Sequence, residues 1–211
     1  MKLNIPNSLT VFRILLIPVF VGVFYLPFAW ANAASAGIFA LAAITDWLDG
    51  FLARMLKQTS RFGAFLDPVA DKLMVAAVLV LIVQADPRAV IAVPAIIIIG
   101  REIAVSALRE FMAAIGEHTK VKVVMVGKIK TTAQMLALLL MLYRDEFRGF
   151  PTYDVGFWLL YLAAALTLWS MIVYMRAAWP IMGPQAMREG SSRSLDTPKP
   201  DNRIRGSVAR E

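Results

Sequence analysis

Long apolar runs alternate with short polar segments along the whole of this 211-residue chain. The first extends from Val11 to Trp30 and is interrupted only by Arg13 and by prolines. A second runs from about Ala33 to Arg54, apolar until it meets Asp46, and a third from Pro68 to Ala85. The turn Asp86-Pro87-Arg88 leads to a fourth near Ala89, which carries Arg101, Glu102 and Arg109 at its far end. A fifth, from about Lys128 to Tyr143, is short and is expected to continue into a longer helix. The polar stretch 144–154, with Gly149 and Pro151, reads as a loop, and the sixth run is Val155 to Trp179. Several runs approach 20 residues, the length that carries a helix across a hydrocarbon core about 30 Å thick. The pattern predicts an all-α integral membrane protein with six transmembrane helices and no internal repeat.

An even number of spans places both termini on one side. Nineteen of the 22 lysines and arginines fall there; the other three, Arg88, Arg144 and Arg148, fall opposite. Positive residues stay inside, so the termini are expected to face the cytoplasm. Beyond Met182 the chain is polar, basic and poor in large apolar residues. The expected organisation is a membrane domain over 1–182 and a disordered cytoplasmic tail over 183–211.

Composition narrows the classes. The chain is 59% hydrophobic, against about 45–50% for soluble domains, and has no cysteine, which excludes disulfides and thiolate metal sites. Its net charge of +7 lies between apolar spans rather than in one patch, so it suits an anionic bilayer surface and not nucleic acid. The opening also resembles a cleavable signal, with Lys2 and Arg13, an apolar stretch from Leu15 to Phe28, and Ala31-Asn32-Ala33 as a cleavage site. Retention is expected, because the polar opening is long for such a signal and Asn7, Thr10 and Arg13 look functional.

The polar residues inside the runs change the picture most. Asp46, Asp49, Asp67 and Asp71 fall within 26 residues, flanked by membrane-length apolar runs. A carboxylate at membrane depth costs roughly 2.5–3.5 kcal/mol on insertion scales, so four together call for a function. On a helix Asp46 and Asp49 are i and i+3, with Gly50 and Ala53 on the same side. Asp67 before Pro68 suits an N-cap and first helical position, which predicts a helix starting there with Asp71 one turn in. Two helices would thus present two carboxylates each to one point. Oxygen-only donors favour Mg²⁺ or Mn²⁺, and a pair of such ions serves phosphoryl chemistry. Glu102, Ser106 and Arg109, at i, i+4 and i+7, form a polar stripe in which Glu102 is expected to be an internal ion pair. Arg109 near the cytoplasmic edge, and Lys128, Lys130, Thr131 and Thr132 at the start of the fifth run, would suit a phosphate dianion.

The segment matches D-x2-D-G-x2-A-R-x8-G-x3-D-x3-D through Asp46, Asp49, Gly50, Ala53, Arg54, Gly63, Asp67 and Asp71. In this it resembles the CDP-alcohol phosphatidyltransferases. The opening N-I-P-N-S-L-T-V-F-R, the block R-F-G-A-F-L-D-P-V-A-D-K and the segment G-K-I-K-T-T-A-Q are most similar to the phosphatidylglycerophosphate synthase branch, over roughly residues 3–175. The resemblance implies six transmembrane helices around a cytosol-facing polar cavity, usually in a homodimer, in a bacterial inner membrane. It implies CDP-diacylglycerol and glycerol 3-phosphate as substrates. Asp46, Asp49, Asp67 and Asp71 would bind two divalent cations, Mg²⁺ or Mn²⁺, and Asp71 would also be the catalytic base. Gly50, Ala53 and Arg54 would line the CDP moiety, with Asn7, Thr10 and Arg13 assisting. Arg109, Lys128, Arg101, Ser60 and Arg61 would meet the acceptor phosphate. The alternatives are inositol phosphate or serine as acceptor, an isoprenoid-pyrophosphate enzyme, and an ion-coupled transporter, although the acids lie at the edge of the spans rather than midway.

Overall fold

The structure, a computed structural model, describes residues 5–56, 61–114, 124–146 and 149–182. These form six helices: α1 (Ile5–Phe24), α2 (Ala31–Leu56), α3 (Arg61–Ala85), α4 (Ala89–Ala114), α5 (Val124–Tyr143) and α6 (Thr152–Met182). No strand occurs among the described residues. Large apolar residues point both ways from these helices. Phe20, Phe39, Val78, Leu79, Ile91, Ile98, Leu138, Met141 and Leu160 are buried in a shared core, one or two from each helix. Leu15, Val19, Ile44, Ile96, Ile103, Trp158 and Trp169 stand on the outside. A bundle apolar on both faces is what a lipid solvent selects, since its backbone groups are satisfied within each helix.

Three stretches, Ala31–Leu48, Ala89–Met112 and Thr152–Arg176, are long and apolar enough to cross a membrane. Ser8–Phe24 and Ile129–Tyr143 are shorter apolar helices. The first half of α3 carries Arg61, Asp67, Asp71 and Lys72, and its second half is apolar. α1 packs on α2 and α3, α5 on α6 and α2, and α4 on α6. At Gly156 the α5–α6 approach leaves no room for a side chain. An added Cβ would lie 2.8 Å from Met141 Cγ and 3.0 Å from the Ala137 carbonyl oxygen.

Boundaries differ from expectation in four places. α3 begins at Arg61, so Pro68 lies inside the helix and Asp67 is not its N-cap. The reason is local: Pro68 withdraws one donor from the Ala64 carbonyl, but nothing in R-F-G-A-F-L stops the helix from continuing upstream. Asp67 and Asp71 still share one face. α1 starts at Ile5 and ends at Phe24, before Pro27, which biases Leu26 out of the helical region. α5 starts a turn earlier than Lys128, and α6 begins at Thr152 within the expected loop. Ala31, in the suggested cleavage site, is buried in the first turn of α2.

The end remote from the acids is tied by polar contacts. Arg88 donates to Asp86 through Nε at 2.7 Å and Nη2 at 2.6 Å, and the Tyr153 hydroxyl donates to the same carboxylate. This fastens the α3–α4 turn to the start of α6. Tyr161 donates to the Val90 carbonyl at 2.9 Å. Arg144 leaves α5 in the left-handed region, at φ 58°, and its Nη2 donates to the Ala85 carbonyl at 3.2 Å.

Candidate functional site

The opposite end gathers the acids, and α1 supplies their partners. Thr10 and Arg13 lie one turn apart on α1, and both are buried among α2 and α3 despite being polar. Arg13 Nη1 lies 2.6 Å from Asp46 Oδ1, and the Thr10 hydroxyl donates to Asp67 Oδ1. One helix therefore touches an acid on each of the next two. Asp71 follows Asp67 by one turn of α3, and the charges of Asp46, Arg13, Glu102 and Lys72 act on it. So Asp46, Asp67 and Asp71 lie toward one end of the bundle.

A second network begins beside Asp71 and crosses four helices. Lys72 donates to the Ser106 hydroxyl, and Ser106 donates to the Glu102 carbonyl at 2.6 Å. The Glu102 carboxylate takes two cations on the same oxygen: Arg101 Nη1 at 3.0 Å and Lys130 Nζ at 2.7 Å. Arg101 Nη2 reaches across to Ser170 Oγ at 3.0 Å, and Ser170 donates to the Thr167 carbonyl. Lys130 is 1% exposed, so its charge depends on this pairing. Glu102 is thus the internal ion pair expected from the sequence. Arg101, expected at the acceptor phosphate, is turned toward Glu102 and Ser170. Lys130, read from the sequence with Lys128 as a donor for a phosphate, is turned instead to Glu102. Lys72 and Ser170 were assigned no role from the sequence; the adjacent D-K could have pointed to Lys72, but nothing in its neighbourhood marks Ser170.

Asn7, Asp49, Gly50, Ala53, Arg54, Arg61, Arg109 and Lys128 lie on helices, but their side chains are outside the described part. Ser60 lies outside the described residues. Among the described residues, no three histidines or acids come close enough together to hold a metal ion. The donor chemistry nonetheless suits one. Asp46, Asp67 and Asp71 are oxygen donors, Asp46 lies within electrostatic reach of Asp71, and Asp46 already holds a cation in the Arg13 guanidinium.

The model of the family described as CDP-alcohol phosphatidyltransferase matches residues 3–169. The chain is 57% identical over 180 residues to a protein of Sodalis glossinidius, covering 84% of this chain and 96% of that one. It is 56% identical over 178 residues to a protein of Pectobacterium atrosepticum, covering 84% and 96%. It is 55% identical over 182 residues to one of Yersinia enterocolitica, covering 85% and 97%. Each of the three bears the name CDP-diacylglycerol–glycerol-3-phosphate 3-phosphatidyltransferase.

Proposed function

Since this chain belongs to the CDP-alcohol phosphatidyltransferase family, we propose that it transfers the phosphatidyl group of CDP-diacylglycerol to glycerol 3-phosphate, releasing CMP. What supports the reading is that Asp46, Asp67 and Asp71, from α2 and α3, lie toward one end of the bundle, with Arg13 on Asp46 and Thr10 on Asp67. The acceptor's terminal hydroxyl oxygen attacks the phosphatidyl phosphorus and forms a new P–O bond. The P–O bond to CMP breaks, and the hydroxyl proton passes to the Asp71 carboxylate. Asp46, Asp49, Asp67 and Asp71 would hold two divalent cations, Mg²⁺ or Mn²⁺, which would offset the negative charge that builds on the leaving CMP phosphate. Arg13 holds Asp46 and Thr10 holds Asp67, so α1 orients both acids from behind. Gly50, Ala53, Arg54 and Asn7 line the CDP moiety, whereas Thr10, expected there too, is committed to Asp67. Arg109, Lys128, Ser60 and Arg61 form the reserve of donors for the acceptor phosphate, with Arg101 held behind them on Glu102 and Ser170.

The same reading has a topology. Six helices cross the bacterial inner membrane, with both termini and the acids on the cytoplasmic side, in agreement with the lysine and arginine distribution. The protein works as a homodimer in an anionic bilayer, with residues 1–182 as the catalytic domain and 183–211 as a dispensable tail. CMP release from CDP-diacylglycerol by the purified protein, with a panel of alcohols, tests the activity. Turnover is expected with glycerol 3-phosphate and dependent on Mg²⁺ or Mn²⁺. Release with inositol phosphate or serine but not with glycerol 3-phosphate would move the chain to another branch of the family.

A further inference from the structure

We propose that Glu102 determines acceptor specificity: its Oε2 receives a hydrogen bond from the middle hydroxyl of glycerol 3-phosphate. This rests on the proposed acceptor and names the group that recognises its second hydroxyl. Three observations lead to it. Arg101 and Lys130 both bind Oε1, and among the described residues Oε2 receives no hydrogen bond. A carboxylate oxygen offers lone pairs that call for donors, so this one is available to a ligand. Second, the Glu102 side chain is 26% exposed, whereas those of Arg101 and Lys130 are 10% and 1% exposed. The anion is therefore more accessible than either of its two cations. Third, hydrogen bonds join the helix turn of Glu102 to that of Asp71: Lys72, the residue after Asp71, donates to Ser106, and Ser106 donates to the Glu102 carbonyl.

These facts select the kind of ligand group. An exposed carboxylate oxygen repels a phosphate and attracts a hydroxyl hydrogen. Glycerol 3-phosphate carries one hydroxyl that reacts and a second, next to it, that does not. With the reacting oxygen near Asp71, the neighbouring hydroxyl is the donor that Glu102 can take. Two cations locked on Oε1 fix the carboxylate's orientation before the acceptor arrives, which lowers the ordering cost of that hydrogen bond.

The test compares glycerol 3-phosphate with 3-hydroxypropyl phosphate, which keeps the terminal hydroxyl and the phosphate but lacks the middle hydroxyl. CMP release is followed with the full-length enzyme in mixed micelles of detergent and CDP-diacylglycerol. The wild-type enzyme is expected to prefer glycerol 3-phosphate by about tenfold or more in kcat/KM, the loss that follows when a charged acceptor loses its hydrogen-bond donor. Glu102→Asp keeps an anion between the two cations and withdraws it by one methylene. Its preference is expected to fall to within about threefold, through a loss confined to glycerol 3-phosphate. A purely structural ion pair would lower both activities alike and leave their ratio at the wild-type value, which would overturn the proposal. Equal use of both acceptors by the wild-type enzyme would overturn it without recourse to any variant. No release with either phosphate would overturn the proposed function itself, and this inference with it.

Discussion

Thr10→Val separates two roles for α1. The substitution keeps the branched shape, so it opens no cavity, and it removes the hydroxyl that donates to Asp67. A hydrogen bond to a charged group contributes about 1.5–3 kcal/mol. Thr10 is buried but Asp67 is only half-buried, so water can reach the released oxygen and the lower figure applies. A loss of about 1.5 kcal/mol lowers the unfolding midpoint of a chain this size by about 3–6 °C. Arg13 on Asp46 still fastens α1 to α2, so the fold is retained.

The functional consequence follows from the same contact. Groups that orient a ligating carboxylate typically contribute 10–100-fold in metal affinity when lost. The Mg²⁺ concentration for half-maximal CMP release is therefore expected to rise about tenfold in Thr10→Val, with kcat at saturating metal within about twofold of wild type. Thr10→Ser restores the donor and serves as the control. If Thr10 instead contacts the nucleotide, the KM for CDP-diacylglycerol rises while the metal dependence stays as in the wild type. That pattern, or an unfolding midpoint within about 1 °C of wild type, would refute the positioning role.

Asp→Asn at Asp46 or Asp67 keeps shape and removes charge, so raised Mn²⁺ is expected to restore part of the CMP release by mass action. Asp71→Asn is expected to lose about 10²–10⁴-fold in rate without such rescue, because a metal ion does not replace a proton acceptor; full rescue would remove its role as base. Gly156→Ala gains about 1 kcal/mol in helix propensity but sets a Cβ 3.0 Å from a backbone oxygen that a flexible side chain's movement cannot relieve. Overpacking costs about 1–3 kcal/mol, so a lower unfolding midpoint in detergent is expected, and a higher one would refute the close α5–α6 approach. The Asp86 carboxyl is held at about 2, below its ordinary 3.8, first by hydrogen bonds from Arg88 and then by the Tyr153 hydroxyl. Its contribution is therefore present above pH 3.8 and lost as pH falls toward 2. Asp86→Asn is expected to flatten the midpoint in that window, as read by thermal unfolding against pH. Deleting 186–211 is expected to leave CMP release largely intact, and its complete loss in a folded truncation would show that the tail reaches the site.

The helices were legible because membrane-length apolar runs need no tertiary information. Their ends were less so, since a helix stops where local chemistry stops it. Pro68 looked like a first helical position, yet only one hydrogen bond stands against extending α3 back to Arg61. The acids were legible through spacing, which holds Asp67 and Asp71 on one face whichever residue begins the helix. What spacing did not reveal was the pairing between helices. Lys72 with Ser106, Lys130 with Glu102, and Arg101 with Ser170 join residues 34, 28 and 69 positions apart. Arg101 illustrates the limit: beside Glu102 it reads as a free cation for a phosphate, and only the approach of α6 gives it Ser170.

The balance of charge at this end bears on how the site binds anions. Among the described side chains of the two networks, Asp46, Asp67, Asp71 and Glu102 stand beside Arg13, Lys72, Arg101 and Lys130, four negative charges against four positive. The helices can therefore pack without an uncompensated buried charge, which would cost far more than any single contact returns. A neutral frame has little attraction for a pyrophosphate and a phosphate monoester arriving together. Asp49 adds one negative charge, and the two divalent cations of the proposed function add four positive ones. The result is about +3 at the end where the two substrates bring about −4. Arg109 and Lys128, whose sequence positions place them toward the same end, supply what remains. On this reasoning Arg13, Lys72 and Lys130 chiefly hold the acids in place, while the proposed divalent cations, together with Arg54, Arg61, Arg109 and Lys128, would supply the charge that attracts substrate.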